Sequence, residues 1–160
     1  KHENWDVEDE NQIAEKIISK MEVLISQNAN ALDGVYETLD FLKQQKLIIG
    51  LATSSSSRLI DIVLRELKIQ HYFHVACSAE TENYGKPHPA VSLKVAEELM
   101  VSPTKCLVIE DSYNGVIAGL AARMKVVCIP EKTHIINSKL KLADFSFDSM
   151  SDFYLEIKNN

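Results

Sequence analysis

From Asn11 to Gln27 the apolar residues Ile13, Ile17, Met21 and Leu24 return every three or four positions, with charged and polar residues between them. That spacing predicts an amphipathic helix. Val35 to Gln45 repeats the helical period, and then the pattern changes. Leu47 to Ala52, "LIIGLA", is a short apolar run bounded by polar residues, which predicts a buried strand. Helical period returns in "SRLIDIVLREL", Ser57 to Leu67. The pattern then predicts a weaker strand at His74–Cys77, a helix over Pro89–Met100, a strand over Cys106–Ile109, a helix over Ser112–Arg123 and a strand over Val126–Ile129. A short strand around Phe145–Phe147 and a helix over Ser151–Lys158 close the series. Strands that read apolar on both faces and alternate with helices predict the α/β class, a doubly wound parallel sheet covered by helices. The first helix fits poorly into this alternation and belongs to a different layer. The run Ser54 to Ser57 reads as a turn and helix start rather than a linker.

Composition narrows the function classes. A chain of 160 residues, 46% hydrophobic, can bury one sizeable core and predicts one compact domain. A formal net charge of −6 and a pI near 5.4 argue against nucleic acid as a partner, while leaving room for a local positive site for a small phosphorylated ligand. Cys77, Cys106 and Cys128 sit inside apolar runs without CxxC spacing, which favours buried free thiols and a reducing, cytoplasmic location. No apolar run approaches transmembrane length, and the acidic start "KHENWDVEDE" is unlike a signal peptide. Neither secretion nor a membrane is expected.

In doubly wound sheets, ligands bind outside the carboxyl ends of the strands. Three features fall there. After "LIIGLA" come Thr53, Ser54 and Ser55, offering hydroxyls and backbone N–H groups at a helix start, an anion site or an ordinary N-cap. After the strand near Cys77 comes "ENYGKPHP", in which Gly85 and Pro87 shape a loop around Lys86, a cation for phosphate oxygens or a merely solvated lysine. After "CLVI" come Glu110 and Asp111, hard oxygen ligands of the kind magnesium takes beside phosphate and water. Acids enriched at a helix N-terminus explain Asp111 more easily than the pair. Hydroxyl, lysine and paired acids at one sheet edge follow the logic of phosphoryl transfer.

The strings "LATSSS", "YGKPHPAV" and "VIEDSYNGVIAGLAARM", in that order, resemble motifs two to four of the haloacid dehalogenase-like phosphatases. Within that superfamily they look most like the β-phosphoglucomutase-like branch, and there most like the 2-deoxyglucose-6-phosphate and hexitol-phosphate phosphatases. The resemblance runs from about Asp33 to the end of the chain and implies a Rossmann-like core. It makes residues 1–30 the C-terminal remnant of a helical cap and residues 31–160 the core. It further implies that Thr53 binds the transferring phosphoryl group with the N–H of Ser54, that Lys86 steadies its charge, and that Glu110 and Asp111 hold Mg2+. Ser55 and Asn114 rank second, and Ser112 caps its helix. The implied activity is magnesium-dependent hydrolysis of small sugar or polyol phosphates through a phospho-aspartate. A phosphosugar mutase of the same branch and a non-catalytic phosphate-binding fragment or pseudoenzyme are the alternatives.

One part of the family pattern is absent. The family opens with a strand ending in D-x-D-G-T or D-x-D-G-V, whose first aspartate is the nucleophile and whose second is the general acid and base. Here "ALDGV" imitates the tail, but Ala31 stands where the nucleophile belongs, and Asp33 reads as a turn residue before a helix. Asp6 and Asp9 lack a strand as well. The family's first strand lies centrally, between those ending at Thr53 and Asp111. The expectation is a core lacking its first strand, completed by an N-terminal segment outside these residues that carries the nucleophile and most of the cap. His71 and His74 lack a third ligand and read as a helix-to-strand connection, and His88 and Tyr113 receive no role.

Overall fold

A computed structural model of the chain describes residues 7–130 and 142–159. Asp6 lies outside the described residues, and Asp9 falls in the first turn of a helix. That helix, α1 (Val7–Asn28), is followed by α2 (Val35–Gln44), β1 (Gly50–Thr53), α3 (Ser57–Glu66), β2 (Val75–Ser78), α4 (Ala90–Glu98), β3 (Leu107–Glu110), α5 (Tyr113–Ala121), β4 (Lys125–Cys128), β5 (Phe145–Ser146) and α6 (Met150–Asn159). This is the α/β order that the hydrophobic pattern predicts, with a Rossmann-like layering of helices on parallel strands. On β1, Leu51 packs with Leu39 of α2 and Ile60 and Leu64 of α3, while its neighbour Ala52 packs with Val91 and Val95 of α4. Alternate side chains of one strand therefore feed two apolar layers, as the period of two requires.

The sheet is not continuous. β1 pairs in parallel with β2, from Gly50 opposite Val75 to Thr53 opposite Ser78. β3 pairs with β4, from Leu107 opposite Lys125 to Glu110 opposite Cys128, and β4 pairs with β5. Among the described residues, β1 and β3 share no ladder and belong to separate sheets of two and three strands. Between them lies a cavity of about 710 Å3, lined by Leu51 and Ala52 on one side and by Val108 and Ile109 on the other, with Val95 and Phe153 among the walls. The resemblance implies a core that lacks the strand between those ending at Thr53 and Asp111. The break falls between those two strands, and among the described residues the facing edges of β1 and β3 have no strand to bond. The two halves are joined through helices: Ala96 of α4 clusters with Ala122, Met124 and Val108, and α2 meets α6, where Phe41 and Tyr154 stack edge to face.

Several boundaries move relative to the pattern. The first strand begins at Gly50 and not at Leu47, because ladder pairing starts opposite Val75, and Leu47 and Ile48 are 52% and 54% exposed. α2, α3, α4 and α5 all end in a left-handed residue that is not glycine, at Lys46, Lys68, Met100 and Arg123. Each following N–H reaches back five residues, as Ile69 does to Leu64 O, the closure that satisfies the last carbonyls of a helix. Asp33 sits in the expected turn, and Gly34 takes the left-handed conformation at φ 88°. A Cβ at Gly34 would lie 2.4 Å from the backbone nitrogen of Ser151, so the start of α2 can approach the start of α6 only without a side chain. Ala118, Gly119 and Ala122 are buried against the sheet as their small size suggests, but Ala121 faces solvent.

On α1 the expected apolar face is largely uncovered. Ile13, Ile17, Met21 and Leu24 are between 42% and 55% exposed. The helix is fastened to α3 by charge: Arg58 donates to Glu15 at 2.7 Å and to both carboxylate oxygens of Glu22 at 2.7 and 3.0 Å. None of the described helices is long and apolar enough to cross a membrane.

Candidate active site

The carboxyl ends of β1 and β3 converge on Lys86. The loop after β2 carries this lysine over the mouth of the cavity, where its ammonium donates to Ala52 O at 3.2 Å and to the Glu110 carboxylate. It thus bridges two strands that share no backbone bond. Only 12% of the Lys86 side chain and 9% of Glu110 are exposed, so this is a desolvated ion pair and not a solvated lysine. Burial pushes the Glu110 carboxyl above its usual range, Lys86 pulls it back, and Asp111 raises it again. Asp111 itself is exposed. Both carboxylates also help burial hold the Cys128 thiol up, which places that cysteine beside them on β4.

Gly115 makes the Glu110 position possible. A Cβ there would lie 1.8 Å from Glu110 Oε2 and 2.3 Å from its Cδ. The carboxylate therefore lies directly against the first turn of α5, where the N-terminal end of a helix dipole favours negative charge. Ser112 caps the same turn as expected, its hydroxyl accepting from Gly115 N–H at 3.1 Å. The glycine three places after Ser112 in "SYNG" was the available sequence signal for this contact.

The hydroxyl cluster after β1 divides into different roles. Thr53 Oγ1 accepts from Ser55 N–H at 3.1 Å, so the turn closes on itself and the Thr53 hydroxyl keeps its proton for another acceptor. Ser54 is exposed, and its N–H has no protein partner among the described residues. The N–H of Ser55 is already engaged, which takes it out of an anion's reach. The start of α3 is also engaged: Ser57 N–H and Oγ donate to the Glu80 carboxylate at 3.2 and 3.3 Å. Ser56, the N-cap by position, makes no side-chain cap bond, and its buried hydroxyl has no partner among the described residues. Two of the backbone donors expected at this helix start, the Ser55 and Ser57 N–H groups, are therefore engaged within the protein. Among the described residues the Thr53 hydroxyl, the Ser54 N–H and the hydroxyls of Ser54 and Ser55 are left open as donors. Ser78 and Glu80, which no motif flagged, support this turn from β2 and the residues after it.

The three described histidines have local partners. His74 Nδ1 accepts from Ile49 N–H at 3.2 Å, and the His71 ring lies 4.0 Å from that of Tyr72. His88 lies 5.1 Å from the exposed ring of Tyr84, outside the Lys86 ion pair. The described residues contain no group of three or more His, Cys, Asp or Glu side chains suited to a metal. The candidate metal donors remain Glu110 and Asp111. Glu110 is paired with Lys86, and Asp111 lies close enough to raise the Glu110 pKa; two adjacent carboxylates are a hard-oxygen set that fits a divalent cation.

A model of the haloacid dehalogenase-like hydrolase family matches residues 2–129. The chain belongs to that family. It is 33% identical over 148 residues to hexitol phosphatase B of Escherichia coli strain K12, covering 92% of this chain and 67% of that protein. It is 34% identical to phosphoglycolate phosphatase of Nitrosococcus oceani, covering 84% of this chain and 58% of the relative. The crystal structure of β-phosphoglucomutase from Clostridium difficile superposes with a TM-score of 0.83 at 26% identity, covering 98% of this chain and 71% of that one. These likenesses place the chain among the β-phosphoglucomutase-like members of a hydrolase family whose relatives act on small phosphorylated compounds. A substantial part of each relative lies outside the match.

Proposed function

We propose that this chain forms the phosphoryl-binding part of a magnesium-dependent, cytoplasmic phosphatase of small sugar or polyol phosphates. The observation that carries the reading is Lys86, held between Ala52 O and Glu110 at the mouth of the gap separating β1 from β3. In this reading the gap receives a parallel strand from a segment outside these residues. That strand would bond to both free edges and bring an aspartate to Lys86. The resemblance assigns that aspartate as nucleophile: its carboxylate oxygen bonds to phosphorus, the substrate's ester P–O bond breaks, and the departing alkoxide takes a proton from the second aspartate. Water then hydrolyses the acyl phosphate. Thr53 Oγ–H and Ser54 N–H donate to the equatorial oxygens, and Lys86 balances the charge of nucleophile and phosphoryl group.

Asp111, exposed, and Glu110, whose Oε1 also meets Lys86, are the two ligands offered to magnesium. When bound, the metal would neutralise phosphoryl charge. Residues 1–30 serve as the cap remnant in this scheme, which accounts for the uncovered face of α1. A phosphosugar mutase is the second reading, favoured by the likeness to β-phosphoglucomutase. It differs in passing the phosphoryl group to a sugar hydroxyl instead of water.

The test is phosphate release by the intact protein from a panel of sugar and polyol phosphates, with and without chelator, and with Asp111→Asn. Hydrolysis that stops on chelation and falls severely in the variant is the expected result. Turnover indifferent to both would overturn the metal assignment. Transfer to a second sugar without phosphate release would select the mutase.

A further inference from the structure

We infer that Ser78 and Glu80 are positioning residues that fix the Thr53–Ser57 turn in its anion-receiving shape. The inference rests on the reading of Thr53 and Ser54 as the phosphoryl site and deepens it. Ser78, at the end of β2 and 6% exposed, donates through Oγ to Ser55 O at 2.6 Å and accepts from Glu80 N–H at 3.0 Å. One hydroxyl thus ties the carbonyl side of the turn to the backbone of the Ala79–Thr81 helical turn. From that same turn Glu80 reaches Ser57 and holds its N–H and hydroxyl. The β1–α3 turn is gripped at Ser55 and at Ser57 by adjacent points of one neighbouring element.

The grip determines which groups can face an anion. With Ser55 N–H turned onto Thr53 Oγ1 and Ser57 N–H occupied by a carboxylate, these two backbone donors are withdrawn from an anion, and the donors left are the Thr53 hydroxyl, the Ser54 N–H and the hydroxyls of Ser54 and Ser55. A carboxylate at the α3 N-terminus also fills the position an anion would otherwise take there, so the phosphoryl group is kept in the turn. Lys94 of α4 anchors the clamp from the far side, donating to Thr81 Oγ1 and to Glu82, both at 3.0 Å. Glu80 is exposed and contributes little to any core, which suits it to holding a turn rather than the fold.

The test uses the intact protein, inorganic phosphate as a competitive inhibitor, and the variants Ser78→Ala, Glu80→Ala, Glu80→Gln and Thr53→Val. Ser78→Ala and Glu80→Ala are expected to weaken phosphate inhibition by about tenfold, the scale of one misplaced charge-assisted hydrogen bond. Glu80→Gln, whose amide oxygen can still accept from Ser57, is expected to stay within about threefold of the parent. Thermal unfolding should shift little in the Glu80 variants. A fall in Tm with an unchanged inhibition constant in Ser78→Ala and Glu80→Ala means a purely structural role and overturns the inference, provided Thr53→Val weakens inhibition. If Thr53→Val also leaves inhibition unchanged, the phosphoryl-site reading fails first and the positioning role falls with it.

Discussion

Gly115→Ala is the sharpest single perturbation of the site, because two physical effects pull it in opposite directions. Gly115 lies in a helix with no left-handed backbone requirement, so alanine by itself should stabilise α5 by about 0.5–1 kcal/mol. The added methyl, however, would occupy the space of Glu110, 1.8 Å from Oε2 and 2.9 Å from Oε1. Forcing an atom into a packed site costs about 1–3 kcal/mol. Glu110 would also be pushed off Lys86, and breaking a buried pair costs up to about 3–5 kcal/mol, an upper bound here because Lys86 keeps its bond to Ala52 O. The expected net loss is about 2–4 kcal/mol. In urea unfolding, with a slope of about 1–3 kcal/mol/M, the midpoint should fall by about 1–2 M. Glu110→Asp withdraws the carboxylate by one methylene. In the Gly115→Ala background it should recover stability, giving a coupling of about 1 kcal/mol or more. A Gly115→Ala protein as stable as its parent, or more stable, would falsify the account of why glycine stands there.

Two further outcomes follow from the electrostatics. Lys86→Met should abolish turnover and leave Glu110 without the partner that opposes the burial effect, so its pKa rises further above the ordinary 4.5. Because a raised folded-state pKa favours folding below the unfolded value and loses that contribution as pH rises through the folded value, urea midpoints of this variant should decline more steeply than the parent's from about pH 5 upward. Asp144 has the opposite sign: Lys125, followed by the Val126 N–H at 2.9 Å, holds its carboxyl below the ordinary 3.8. Its contribution is present above 3.8 and is lost as pH falls through the lower folded value, so Asp144→Asn should flatten the acid limb of the stability profile. An unchanged acid limb would remove Asp144 from the account.

The elements were largely legible in the sequence because burial on two faces leaves apolar runs, and helical burial leaves a period near four. Their ends were less so. Leu47 to Ile49 are as apolar as the strand that follows, and only the position of Val75 decides that pairing begins at Gly50. Four helix ends carry no glycine signal, since Lys46, Lys68, Met100 and Arg123 adopt the left-handed cap themselves. In the site, the motif residues marked the correct edge, but Lys86 touching Glu110 could not be read from a separation of 24 positions. Ser78 and Glu80 were invisible for a related reason: their importance lies in bonds to a turn about 23 residues away, and neither belongs to a recognisable chemical pair. α1 shows the converse. Its amphipathic period was clear, yet the face the period marks is exposed, and the helix meets α3 through Arg58 with Glu15 and Glu22 on the side where Ile18 and Ile25 are half-buried.

The break between β1 and β3 also governs how the molecule yields. Backbone hydrogen bonds across a sheet resist sliding because they are directional, whereas packed helices can slip past one another by small amounts at little cost. Here β1–β2 and β3–β4–β5 are coupled by the apolar contacts of α4 and of α2 with α6, and by Lys86. Native-state hydrogen exchange is therefore expected to find two amide-protection free energies, one for each half. A strand inserted between them, as the proposed function requires, would bond both free edges and is expected to make the unfolding of the two halves a single cooperative event.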